Sequence, residues 1–236
     1  MSGRVGRNPR LFKNLWGIFI SMVLFIFPWK IRRILLNYFL SFKIHKDAKI
    51  GFSIVIPDSL EMANGSKIGN LSFCKGLRLL QMDEYSILGN LNWITGQPLD
   101  QNSFFQHRID RDPSLIMLVH SSITHRHIID CTDKIMIGKF SVIAGYRSQF
   151  LTHAIDISLS RQDCSPILIG DYCFISTNCV LLPGSSIGNY CVLGASSLLN
   201  KAHSSDYTLY GGVPAKPLQS LSKESKFFTR KIGFVY

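Results

Sequence analysis

Of the seven histidines in this 236-residue chain, His153 is the one whose surroundings suggest chemistry. It lies in FLTHAID, where an otherwise regular sequence pattern breaks. A neutral imidazole near its ordinary pKa of about 6.5 can take a proton from an acceptor hydroxyl or amine, an effect worth about 10²–10⁴-fold. Asp156 follows three residues later. It could orient His153 through the second ring nitrogen, bind the acceptor or cap the loop. If the acyl donor is an activated thioester, little else is needed beyond a backbone N–H to hold the oxyanion. No Ser–His–Asp or Cys–His arrangement is present, and direct transfer does not require one.

The element that must hold these residues is written in a repeat of six. Aliphatic residues recur at Ile169, Ile175, Leu181, Ile187, Leu193 and Leu199. The same step relates Ile44, Ile50 and Ile56, then Met62, Ile68, Cys74 and Leu80, then Met82, Leu88 and Ile94, and finally Cys131, Ile137 and Ile143. A helix repeats at 3.6 residues and a strand at 2, so neither explains a period of six. Six residues make a short strand and a turn. Three such units close a triangular turn, and stacked turns about 4.8 Å apart bury one continuous column. Four residues after each aliphatic comes a small one: Cys173, Cys179, Ser185, Cys191, Ser197. Glycine follows the aliphatic at Gly170, Gly188 and Gly194, where it would tolerate a positive φ in the turn.

The pattern aliphatic-Gly-x-x-small-x resembles the hexapeptide-repeat acyltransferases, over roughly Ile44 to Leu218. The closing YGGVPAKPL resembles the G-x-P-A-K/R segment that follows the last coil in that family, and FLTHAID resembles its catalytic-base segment. The resemblance implies a mainly β fold, a left-handed parallel β-helix, assembled as a homotrimer with active sites between adjacent subunits. It implies acetyl-CoA as acyl donor and an acceptor hydroxyl on a sugar or polysaccharide precursor. Mapped onto matching positions, it implies His153 as base and His127 near the acceptor. It also implies Thr177, Ala195, Asn200, Lys201 and Lys216 along the CoA path, with no metal. Asn200 stands where the family has Thr, which puts that contact in doubt. Two alternatives share the fold. One is a non-catalytic scaffold. The other is a γ-carbonic-anhydrase-like zinc site on His120 and His125, for which the stretch 52–106 offers no third histidine.

Two segments lose the period, 95–117 and 150–166. Surplus residues must loop out of a solenoid, and loops carry sites. The six cysteines, Cys74, Cys131, Cys164, Cys173, Cys179 and Cys191, form no C-x-x-C pair and no metal-ligand spacing. They read as small core residues in a reducing compartment.

The formal charge of +11 is concentrated at the two ends. Residues 1–50 hold ten Lys/Arg and one acid, the next 165 are nearly balanced, and 216–236 hold five Lys/Arg and one acid. That distribution, without a recognition motif, argues against a nucleic-acid domain. Arg4, Arg7, Arg10 and Lys13 precede the uncharged run 14–29, and Lys30, Arg32 and Arg33 follow it. The run is short for a spanning helix, and no small-residue cleavage site follows it. We therefore expect residues 1–43 to associate with the cytoplasmic face of a membrane, or to pack on the main domain or on a partner subunit. Residues 44–218 would form the β-helix, and 219–236 a basic, aromatic tail that packs on the coil, meets the membrane or stays solvated.

Overall fold

The computed structural model describes residues 9–100 and 104–235, with side chains from residue 14 onward. Arg4 and Arg7, with the side chains of Arg10 and Lys13, lie outside the described residues. The chain winds into a left-handed parallel β-helix of triangular section. The first face stacks eight short strands from Lys43–Ile44 to Ala202–His203. The second stacks eight from Lys49–Ile50 to Thr208–Gly211, extended by the antiparallel Lys216–Ser220. The third stacks seven, from Ile54–Ile56 to Leu198–Leu199.

The repeat of six becomes a column of fully buried side chains on each face. Ile68, Leu88, Ile123, Ile143, Ile175 and Leu193 lie in register on the second face, all 2% exposed or less. Ile56 departs from the expected series. Val55 pairs with Cys74 in the inward column, whereas Ile56 pairs with Lys75. Turns also come in two lengths. Lys49 pairs with Lys67, a step of 18, whereas Lys67 pairs with Ile87, a step of 20. The longer turns widen the first face, where Leu60, Leu80, Leu115, Ile135 and Ile167 form a second column with no exposure. This is why the series of six restarts after Leu80 at Met82. Cys173 and Cys191 stack in the interior as expected, and burial pushes the Cys173 thiol up to about 12.

The glycines work differently from expectation. Gly170, Gly188 and Gly194 do not have positive φ; that conformation falls two residues later, on Tyr172, Tyr190 and Ser196. At Gly170 a Cβ would lie 2.7 Å from the Gly188 carbonyl, and at Gly188 it would lie 2.7 Å from Asp206 Oδ1. Close stacking of turns, not φ, excludes a side chain there.

Positive φ costs a non-glycine residue about 1–2 kcal/mol. At the corner between the first and second faces, aromatic stacking offsets that cost. Tyr85, His120, Phe140, Tyr172, Tyr190 and Tyr207 all have φ of 50–57° and form a continuous ladder of rings 4.5–5.3 Å apart. Such contacts contribute about 0.5–1.5 kcal/mol each. The C-terminal tail packs along this ladder. Arg230 lies over Phe140 and Tyr172, and Phe228, in helix α3 (Lys226–Thr229), sets its ring edge-on to Tyr190 and Tyr207.

At the other end, two helices close the first turn: α1 (Pro9–Val23) and α2 (Trp29–Leu40), joined through a 3₁₀ turn at Leu24–Ile26. Ile20, Leu24 and Leu36 join the same core as Ile44 and Ile50. A first strand presents unpaired backbone groups, and α2 supplies partners for them. The Asn37 side chain accepts from Ile44 N–H at 3.2 Å and donates to its carbonyl at 3.3 Å. Trp29 donates to the Ala48 carbonyl at 2.9 Å, and Arg32 donates to the Ile50 carbonyl at 2.6 Å and to that of Gly51. Among the described residues, no helix is long and apolar enough to cross a membrane. We expect Arg32→Ala, which strands two edge carbonyls, to destabilise the fold by about 2–3 kcal/mol in equilibrium denaturation.

Candidate active site

Surplus residues leave the prism at a single corner. The insertion after Trp93–Thr95 runs from 96 to 113, and the one after Gln149–Leu151 runs from 152 to 166. Both emerge where the third face turns into the first, two turns apart. The strand between them, Ile128–Asp130, ends on Asp130. The second insertion folds as an antiparallel hairpin, His153–Asp156 against Arg161–Cys164.

His153 opens that hairpin directly above Asp130. Its Nδ1 lies 2.6 Å from Asp130 Oδ2, with the imidazole side chain 39% exposed and the carboxylate 11% exposed. Asp130 is fixed in turn. Its Oδ1 accepts from Thr132 Oγ1 at 2.7 Å and Thr132 N–H at 3.2 Å, and its Oδ2 accepts from Thr152 N–H at 3.2 Å. The bond to Asp130 raises the His153 pKa above its ordinary value, outweighing the opposite effect of burial. Burial alone would raise Asp130, but its bonds from His153, Thr132 and Thr152 leave it lowered. With Nδ1–H committed to Asp130, the lone pair is on Nε2, for which no hydrogen-bond partner is found among the described residues. Such a dyad presents one oriented base to whatever occupies the corner.

The first insertion packs against this dyad. Phe105 is buried and sets its ring edge-on to His153, 6.3 Å between centroids at 86°. The Arg111 guanidinium lies 4.8 Å from the Phe105 ring centre and donates to the Pro98 and Thr132 carbonyls, each at 3.0 Å. Arg108 grips Asp163 of the hairpin through two bonds, one of 2.8 Å, and His107 adds a third contact at 3.3 Å. The Arg108 guanidinium holds the Asp163 carboxyl well below the usual carboxylate range. The two insertions are therefore cross-tied over the turn that carries Asp130.

The other expected site residues disperse. Asp156 does not make the orienting bond; its Oδ1 accepts from Leu159 N–H at 3.1 Å and caps the hairpin turn. His127 is 1% exposed and has both nitrogens engaged, Nε2 with Thr124 Oγ1 at 3.1 Å and Nδ1 with Ser148 N–H at 3.2 Å. Burial lowers its pKa to about 4, so it is a neutral core residue and cannot reach an acceptor. Thr177 and Ala195 are exposed on the corner between the second and third faces, and exposed Lys216 lies in line with them beside Gly211. Asn200 and Lys201 are exposed on the corner that carries His153, two turns further on. His120 and His125 occupy different corners. His120 stacks in the aromatic ladder, and His125 accepts from Asn90 N–H at 2.8 Å. Among the described residues, no group of three or more His, Cys, Asp or Glu could hold a metal ion.

Asp130, Phe105, Arg108, Arg111 and Asp163 are the residues the sequence reading missed. Asp130 had a usable signal. Counting one turn of about 20 residues back from His153 lands within three residues of it, at the end of a strand where the pattern calls for no acid.

The charged pair carries a pH signature. His153 is raised, so its contribution to stability is full below about 6.5 and fades as pH rises through the folded value. Asp130 is lowered, so its contribution is full above about 3.9 and is lost as pH falls through its folded value. The neutral form of His153, with a free lone pair on Nε2, thus predominates only at pH above about 6.5. In Asp130→Asn, the His153 NMR titration midpoint should fall toward about 6.5, with turnover down on the order of 10²-fold.

Known proteins bear on this arrangement at three points. The family described as bacterial transferase hexapeptide (six repeats) matches residues 166–201. The chain is 27% identical over 147 residues to YvoF of Bacillus subtilis (strain 168), named as an acetyltransferase; the match covers 62% of this chain and 76% of that protein. Over 68 residues, 29% of this chain and 34% of the other, it is 32% identical to WbbJ of Escherichia coli (strain K12), named as a lipopolysaccharide biosynthesis O-acetyl transferase. The polysialic acid O-acetyltransferase OatWY shares the fold, with a TM-score of 0.56 and 18% identity over 76% of this chain and 84% of that one. Repeat, fold and relatives agree: the chain carries a hexapeptide-repeat transferase segment over residues 166–201 and is similar to acetyltransferases of that fold.

Proposed function

We propose that this acyltransferase moves an acetyl group from acetyl-CoA to a hydroxyl of a sugar or polysaccharide precursor. It does so as a homotrimer at the cytoplasmic face of a membrane, with His153 as base. The observation that carries the reading is the His153–Asp130 dyad, held at 2.6 Å on the corner where both insertions meet. Nε2 of His153 takes the acceptor proton as the oxygen attacks the thioester carbonyl. When the C–S bond breaks, the same nitrogen returns the proton to the leaving sulfur. Asp130 holds the ring in the required tautomer and stabilises the transient imidazolium. Arg108, Asp163 and Phe105 act through His153 and the hairpin as positioning residues.

The residues assigned to the donor support a site shared between subunits. Thr177, Ala195 and Lys216 lie on one edge of the third face, and His153, Asn200 and Lys201 on the other. A second copy that sets its Thr177 edge against the His153 edge of the first would unite the two groups. The third face between them carries Phe73 stacked on Trp93 at 4.8 Å, with Trp93 53% and Ile128 48% exposed, apolar surface suited to such a contact. WbbJ and OatWY, named for O-acetyl transfer in lipopolysaccharide biosynthesis and to polysialic acid, make a saccharide the acceptor class to test first.

Two measurements test this reading. His153→Ala should lower acetyl transfer to a saccharide acceptor at least about 10²-fold, with acetyl-CoA affinity by calorimetry nearly unchanged. An unaltered rate would remove His153 from the mechanism. Light scattering should give about three chain masses for the parent, and a lower mass for Trp93→Glu; a monomeric parent would rule out the shared site.

A further inference from the structure

We infer that the outer surface of the two-helix cap is a docking face for an anionic lipid bilayer, on which the β-helix stands by its first turn. The inference deepens the membrane clause of the proposed function and does not depend on the chemistry assigned to His153. The inward sides of α1 and α2 are consumed by the core through Ile20, Leu24 and Leu36. Their other sides are strongly apolar yet exposed: Trp16 57%, Phe19 55%, Ile26 78%, Ile31 46%, Ile34 58% and Phe39 52%. Trp16 and Phe19 stack on one another, 6.0 Å between ring centres, and so many large apolar side chains exposed on two adjoining helices mark a place where something binds.

Two observations identify the occupant. Among the described residues, the helices are too short to span. The longer, α1, has 15 residues, about 22 Å against a hydrocarbon thickness of about 30 Å, and Pro28 breaks the path into α2. Amphipathic helices of this size lie in the interface plane. The second observation is charge: residues 1–50 carry ten Lys/Arg against one acid, and although Arg32 is engaged at the core edge and Lys43 by Glu61, Lys30, Lys46 and Lys49 are exposed at this end. A protein partner could cover the apolar side chains, but anionic headgroups also answer the surplus positive charge. At the same end, Lys49 and Lys67 sit directly opposite one another on adjacent strands, a repulsive pairing, with no carboxylate within 4 Å among the described residues. They border a cleft of about 710 Å³ walled by Phe27 and Trp29 of the cap, where a headgroup phosphate would relieve that repulsion.

The test is flotation of the full-length protein with vesicles of phosphatidylcholine alone, and with about one third phosphatidylglycerol. The parent should float with the anionic vesicles, less with the neutral ones, and progressively less as salt is raised. Phe19→Ser/Ile34→Ser, both exposed positions, should reduce flotation at least tenfold while keeping the parent thermal midpoint and acetyl-CoA binding. If that pair does not fold, Lys30→Glu at an exposed position should reduce the preference for anionic vesicles. A folded parent that stays with the pellet fraction in both mixtures overturns the inference, as does a double variant that floats like the parent. Self-association through this face, abolished by the double variant without any vesicle binding, would assign it to a second copy instead. No readout involves turnover, so failure here leaves acetyl transfer standing, and failed transfer leaves the lipid result standing.

Discussion

Hydrogen bonding of each turn to the next is the constraint on which everything else in this protein rests. A parallel β-helix leaves no freedom to accumulate extra residues within a face, because one unmatched residue would flip every following side chain from core to solvent. Eighteen residues close a turn here, and twenty close it with a wider first face. Anything beyond that must leave at a corner. Both large excesses leave at the same corner, two turns apart, and so face each other across the strand that ends on Asp130. The corner that carries the His153–Asp130 pair is thus a consequence of register.

Close stacking also explains the site's rigidity. Asp130 is buried beneath His153, and a buried carboxylate is costly unless its oxygens are satisfied. Thr132 and Thr152, on neighbouring turns, supply those bonds, and His153 supplies the countercharge. Removal of a partner would leave a desolvated charge, so the dyad and the corner hold one another in place. The Arg108–Asp163 pair and the Phe105 contact extend the same order into the two insertions.

A solenoid has two ends, each with unpaired edges and exposed core. The amino-terminal end is closed by side-chain donors of α2 that substitute for a missing strand, Asn37 most directly. The carboxy-terminal end folds back as an antiparallel strand beside Thr208–Gly211, and the tail then runs down the aromatic ladder. Among the described residues, both basic end segments are accordingly part of the folded body.

Much of this was legible in the residues alone. A period of six, small residues four positions on, and two breaks in register specify a stacked triangular coil with two loops, because periodicity is set locally by which side chains can be buried. His153 could be singled out for the same reason, lying where the period fails. The sequence misjudged those features that depend on which turns become neighbours. Gly170 and Gly188 are required by close approach of the next turn, not by their own φ, and Val55, not Ile56, is the residue in register with Cys74 in the inward column. Asp156, close to His153 in sequence, caps its own hairpin, whereas Asp130, 23 residues away, lies one turn below and accepts the hydrogen bond from the imidazole Nδ1–H. His127, placed near the acceptor by the family resemblance, faces inward, where both its nitrogens are engaged. Local pattern sets burial; partnership between charged groups is set by stacking, and only the wound chain brings those groups together.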